Sequence, residues 1–186
     1  MTSFIVSDDC IRLGLRAGAV VFRGVEVRAA APELRADIAR EVEAIRQRFA
    51  NPADIRLLPE VVAFQEILRK VGVNPRREQP SVERLLNGAV KRGDLPSINS
   101  LVDAYNLVSV RSFCSLGAHD LDAITLPVAL RLLTGRESFT PLGSQETVAS
   151  LPASSATWTP KIALSAGSMC GRPSSAKSPS APPTCS

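Results

Sequence analysis

Apolar residues recur along this chain with two different periods, and the alternation between them marks out its elements. The clearest signal follows Pro32: Leu34, Ile38, Val42, Ile45 and Phe49 are spaced by four, four, three and four, which aligns them in one stripe of an α-helix. Arg35, Arg40, Glu43 and Arg46 fall on the other side, and Pro32 occupies a first-turn position where a missing N–H costs nothing. Pro59 opens a second helix with Val61, Phe64, Leu68 and Val71 inward and Gly72 as its stop. Ser81 is placed to cap a third, with Val82, Leu85, Leu86 and Ala89 on one side and a break at Gly93–Pro96. Ser97 is placed to cap a fourth, with Ile98, Leu101, Val102, Tyr105 and Val108 inward. Elsewhere the pattern is extended. Phe4–Ser7 predicts a short strand, followed by a brief helix at Cys10–Gly14 that Ser7, Asp8 and Asp9 can cap. Ala17–Arg28, with Val20, Val21, Phe22, Val25 and Val27, predicts another strand, and Pro127–Leu133 a third before a turn at 134–137.

Helices mixed with strands indicate an α/β chain, expected as a layered α/β/α domain with a mixed sheet. There is no internal repeat, no GxGxxG and no GxxxxGK[ST] loop, so no nucleotide cofactor is expected. No stretch approaches the roughly 18 apolar residues of a membrane span, and Met1–Val6 lacks the basic start of a signal peptide. The expectation is a soluble, cytoplasmic protein without a membrane partner. Cys10, Cys114, Cys170 and Cys185 form no close pair and have only His119 to help them. A zinc site needs about four ligands, so no metal is expected, and Cys10 and Cys114 read as small buried groups.

Charge changes the picture in one window. The net +4 is nearly balanced up to Glu146, where 19 basic residues meet all 18 acidic ones. Between Arg69 and Arg92, however, seven basic residues face only Glu78 and Glu83, a local +5. Arg76 and Arg77 in the link before the third helix, with Arg84, Lys91 and Arg92 on it, are the candidate nucleic-acid phosphate contacts. The plainer reading of the same residues is a solvated helix face and loop.

A second cluster is polar but not basic. Asn99, Asp103 and Asn106 fall at i, i+4 and i+7, on one face of the fourth helix. Asparagine and aspartate are mediocre helix formers, so the clustering calls for a reason: hydrogen-bonding a polar ligand, or anchoring the crossing loop at Gly117–Asp122.

The block from Pro80 to Gly143 carries a family resemblance. Its segment INSLVDAYN supplies Ile98, Asn99, Val102, Asp103 and Asn106, and GAHDLDAI supplies Ala118, Asp120, Leu121, Asp122 and Ile124. In order and spacing it resembles the B3/B4 tRNA-binding and editing module of the phenylalanyl-tRNA synthetase beta subunit, which has INxVDxTN and HAFDLDKI in the same places. The resemblance implies tRNA as partner, translation as context, and a pocket containing Asn99, Asp103, Tyr105, Asn106, Gly117, His119 and Asp120. Two departures touch chemistry. Tyr105 replaces a threonine, and Gly117 stands where editing synthetases carry histidine. His119 lies two positions further, about 6.5–7 Å away along an extended segment, beyond the roughly 3 Å reach of an acid or base. It reads instead as a stand-in for a packing aromatic, and no catalytic residue is assigned. Hydrolysis of mischarged aminoacyl-tRNA would then rest on positioning water near Asn106.

From Ser150 the composition shifts to 10 serines and 6 prolines with no acid, which predicts a disordered tail after a domain at 1–149 with its C-terminal part incomplete. One GC-rich coding of Ser155–Arg172, read in a shifted frame, fits the family's continuation, so a frame slip near 152–154 would make Trp158, Cys170 and Cys185 accidental. Against RNA binding and editing stand two alternatives: an amino-acid or small-molecule binder reusing the fold, or an inactive truncated product.

Overall fold

Five of the helical segments belong to one compact unit, Ile11–Arg16 with Val20–Ala118. In the computed structural model, residues 4–124 and 127–133 are described in full, and 138–139, 148–149 and 162–166 by their backbone. Helix α2 spans Pro32–Arg48, as its apolar spacing predicts, and buries Val42, Ile45 and the following Phe49. A short α3, Pro52–Ile55, was not legible from periodicity. Asn51 starts it through a capping box, accepting from Ala53 N while Asp54 accepts from Asn51 N, which satisfies two orphan donors at once.

Helix α4 covers Pro59–Lys70 and α5 covers Ser81–Arg92. The buried side of α4 carries Val61, Gln65 and Ile67, while Phe64 and Leu68 are only half-buried. On α5 Val82, Leu86 and Ala89 are buried as expected, but Pro80 takes the cap position without a side-chain bond and Ser81 is the first helical residue. Gly93 ends this helix at φ 76° with its N–H donating to the Ala89 carbonyl, a left-handed geometry that glycine adopts without penalty. Helix α5 packs against α2, α3 and α6, the last spanning Ser100–Ser112. Side chains from α2, α3, α4, α5 and α6 join in one apolar cluster around Leu86.

The segment 17–28 corrects an expectation. No strand forms there, and Val20 and Phe22 are 78% and 69% exposed. A β pattern becomes a strand only when a partner takes its backbone groups. Here the segment's end is tied to a helix instead: Ser100 N donates to the Arg28 carbonyl at 2.7 Å, and Arg28 N donates to Ser100 Oγ at 3.1 Å.

The second unit contains the sheet. Strand β1, Phe4–Val6, pairs in parallel with β2, Val128–Leu132, with Phe4 opposite Val128. Parallel neighbours need a long crossover, and here the chain between them carries all the helices of the described residues. Between β1 and α2 comes α1, Asp8–Arg12, where Ser7 Oγ accepts from Cys10 N; Cys10 is buried, whereas Cys114 is exposed, contrary to expectation. Short β3 (Ser138–Phe139) and β4 (Val148–Ala149) pair antiparallel. Strand β5, Ile162–Ala166, pairs antiparallel with β2, so the sheet is mixed with order β1-β2-β5. β5 lies inside the stretch expected from composition to be without structure. The rest of 150–186 and the turn at 134–137 lie outside the described residues. No helix among the described residues is long and apolar enough to cross a membrane.

Candidate functional site

The polar residues of α6 divide by what they bond. The helix begins a fraction of a turn later than its sequence suggests, because Asn99 and not Ser97 is the N-cap: its Oδ1 accepts from Val102 N at 2.9 Å. Asp103, 1% exposed, reaches back over the same end. One carboxylate oxygen accepts from Ile98 N at 2.8 Å and the other from Ser97 Oγ at 3.1 Å. The Arg28 carbonyl and Asn99 Oδ1 answer two of the donors that a helix start leaves open, Ser100 N and Val102 N. Asn99 and Asp103 therefore anchor the loop before α6. The cost of that geometry is that Ile98, expected inward, is 65% exposed, and Val108 also faces solvent.

Asn106 is buried a turn further on. Tyr105 is half-buried, and burial raises its phenol pKa above the ordinary value, with the Asp103 carboxylate adding to the effect. Both causes disfavour a negative charge on the ring oxygen, so Tyr105 is a hydrogen-bonding hydroxyl over an extended pH range. Gly117 is exposed. His119 and Asp120 fall in the sheet-containing unit and are exposed, which removes the packing role expected for His119. Asp120 caps a 3₁₀ turn at Leu121–Ala123, accepting from Asp122 N at 3.0 Å.

The basic residues chosen from the sequence all reach the surface. Arg76, Arg77, Arg84, Lys91 and Arg92 are exposed. Asn74 shapes the turn that presents the first two, since its Oδ1 accepts from Arg76 N and its carbonyl from Arg77 N. Arg92 is less free than the others. Its Nε donates to Asp94 at 3.1 Å, and its guanidinium lies so close over Gly88 that a methyl group there would meet it at 2.6 Å.

Two features escaped sequence reasoning. Arg46 of α2 brings a guanidinium close to Gly93 at the end of α5, from a residue far away in the chain; only tertiary packing reveals this. Glu83, one of the two acids that offset the basic window in the sequence, is fully buried. Its Oε2 accepts from Gln65 Nε2 at 3.0 Å, and Oε1 stands 3.9 Å from Arg56 Nε, an ion-pair distance too long for a hydrogen bond. Gln65, one turn after Val61 on the buried side of α4, is the one trace of this network in the sequence.

Family membership rests on a separate observation. A model of the B3/4 domain matches residues 63–169, more than half of the chain and past the boundary expected at 149. It takes in α5, α6, the 3₁₀ turn, β2 and β5. No curated protein and no solved structure matches the chain.

Proposed function

This chain belongs to the B3/4 domain family, the domain found in the phenylalanyl-tRNA synthetase beta subunit, and from that premise we propose that it is a tRNA-binding module. The observation that carries the reading is the exposed basic set on α5 and the turn before it, inside the matched region. Arg76, Arg77, Arg84 and Lys91 project from rigid or hydrogen-bonded backbone, and none forms an ion pair among the described residues. Such a surface neutralises backbone phosphates without reading bases. The layered α/β/α architecture and the cytoplasmic setting expected for such a module belong to this proposal.

Editing is the activity this reading allows. The ester of a mischarged aminoacyl-tRNA is reactive enough that a positioned water and fixed donors can speed its hydrolysis. Asn106 and the neutral Tyr105 hydroxyl are the residues we assign to substrate positioning; Asn99 and Asp103 hold the helix end that carries them. Two experiments separate binding from hydrolysis. Filter binding should show Arg76→Gln/Arg77→Gln weakening tRNA affinity about tenfold or more, at about 1 kcal/mol for each phosphate left without its arginine. Purified protein should shorten the lifetime of tyrosyl-tRNA(Phe) relative to buffer. An unchanged lifetime removes editing and leaves binding standing, and an unchanged affinity in the double variant removes this basic set as the phosphate site.

A further inference from the structure

A cavity of about 170 Å³ opens on the side of the helical unit where α2 meets the end of α6, lined by Glu41, Ile45, Arg48, Phe49, Arg111 and Phe113 among others. Its chemistry is unlike that of the surrounding surface. The Arg48 guanidinium stands 5.1 Å from the Phe49 ring centre and 4.8 Å from that of Phe113. Both rings thus hold the guanidinium by cation–π attraction. Among the described residues no carboxylate pairs with Arg48. The second cation, Arg111, is already answered, since its Nε donates to Glu41 at 2.7 Å.

Phe113 supplies a second, independent observation. It is the one non-glycine residue with positive φ among the described residues, at 55°, where a side chain is disfavoured and glycine is the usual helix ending. The backbone is held there by Ser109 Oγ donating to the Cys114 carbonyl. A strained turn kept by an aromatic residue, whose ring meets an unpaired guanidinium, is the kind of outlier from which a function can be argued.

The geometry points to a binding site for one backbone phosphodiester of single-stranded RNA, with Arg48 as the phosphate ligand. Charge and size select that group. Two guanidinium groups and one carboxylate leave a single positive charge, which a phosphodiester monoanion balances; a dianion would be set against Glu41. A guanidinium whose faces rest on rings still presents its N–H edge as a fork, and that fork matches two phosphate oxygens. The volume is below the roughly 300–1,000 Å³ that encloses a whole small molecule, so the cavity takes one group of a longer ligand. This inference rests on the RNA-binding reading for its ligand source, and it names residues outside the basic set on α5 and the turn before it.

Two arms test it on the full chain. In the first, the dinucleoside monophosphate ApA, with one phosphodiester and no other charge, is titrated while the arginine Nε–Hε signals are followed by NMR. The Arg48 and Arg111 signals should shift saturably with ApA and stay still with adenosine. In the second, a fluorescein-labelled single-stranded RNA is titrated by anisotropy against wild type, Arg48→Gln, Arg48→Lys and the control Arg35→Gln, with folding checked by circular dichroism. Arg48→Gln should weaken binding about tenfold and lower the salt slope by about one. Arg48→Lys should recover the slope but only part of the affinity, and Arg35→Gln should stay within about twofold of wild type. Equal affinity and slope in wild type and Arg48→Gln overturn the cavity site while RNA binding stands. If wild type binds no RNA, the RNA reading falls, and ApA alone decides the cavity: unmoved arginine signals overturn it.

Discussion

Asp103 and Glu83 are both carboxylates buried in the helical unit, and they differ in how their oxygens are answered. Both oxygens of Asp103 accept hydrogen bonds, from Ile98 N and Ser97 Oγ, whereas Glu83 has one bond, from Gln65, and a long ion pair to Arg56. Asp103→Ala should cost about 2–3 kcal/mol in urea unfolding, since it removes two charge-assisted bonds made by a buried carboxylate. Asn99→Ala should cost about 1 kcal/mol, the usual worth of a cap. Glu83→Gln keeps a partner for Gln65 and relieves a buried charge, so it should change stability by less than about 1.5 kcal/mol, while Glu83→Ala should cost about 3 kcal/mol. Tyr105 gives a pH readout of its own, being the sole tyrosine. Its raised pKa means the folded state binds the phenolic proton more tightly than the unfolded chain. The resulting stability is complete below the unfolded value near pH 10 and is lost as pH rises through the folded one. Tyrosinate absorbance should therefore appear at higher pH in folded protein than in urea. At this scale the sequence showed which polar residues were unusual, but not their tasks: the Asn99–Asp103–Asn106 spacing suited a ligand face, while two of the three cap and tie the helix.

At the scale of elements, the apolar stripes were the legible part. Helices α2, α4 and α5 lie close to where their spacing puts them, because a stripe of period 3.6 next to a proline start leaves little choice. What failed were features decided by partners. The start of α6 moved from Ser97 to Asn99 because Asp103 takes up the donors before it and the Arg28 carbonyl takes up that of Ser100, and the strand expected over 17–28 is absent. The short α3 escaped because four residues carry no period; only Asn51 with Asp54 announced it. Leu86 is the element-scale test of the core, fully buried on the helix that touches α2, α3 and α6. Leu86→Ala should lower stability by about 3 kcal/mol, seen as a lower urea midpoint with unchanged slope.

For the molecule as a whole, family membership was legible in two segments, INSLVDAYN and GAHDLDAI, and the match over 63–169 bears it out. At the C-terminus, composition and backbone point in different directions. Composition argued against packed structure after Ser150, yet β5 lines up against β2 over five residues, from Ile162 opposite Leu132 to Ala166 opposite Val128, and the family match includes it. Serine and proline content describes a segment's average, and a five-residue strand can sit within such an average when a neighbour offers an open edge. The coding DNA across 152–172 remains the direct check on a frame slip.

The central claim is that this B3/4 domain binds tRNA through phosphate contacts, and a salt titration of tRNA affinity meets it head-on. Contacts from Arg76, Arg77, Arg84, Lys91 and Arg92 predict a plot of log affinity against log salt with a slope of about −3 to −5. A flat plot, or no binding at low salt, would contradict the account.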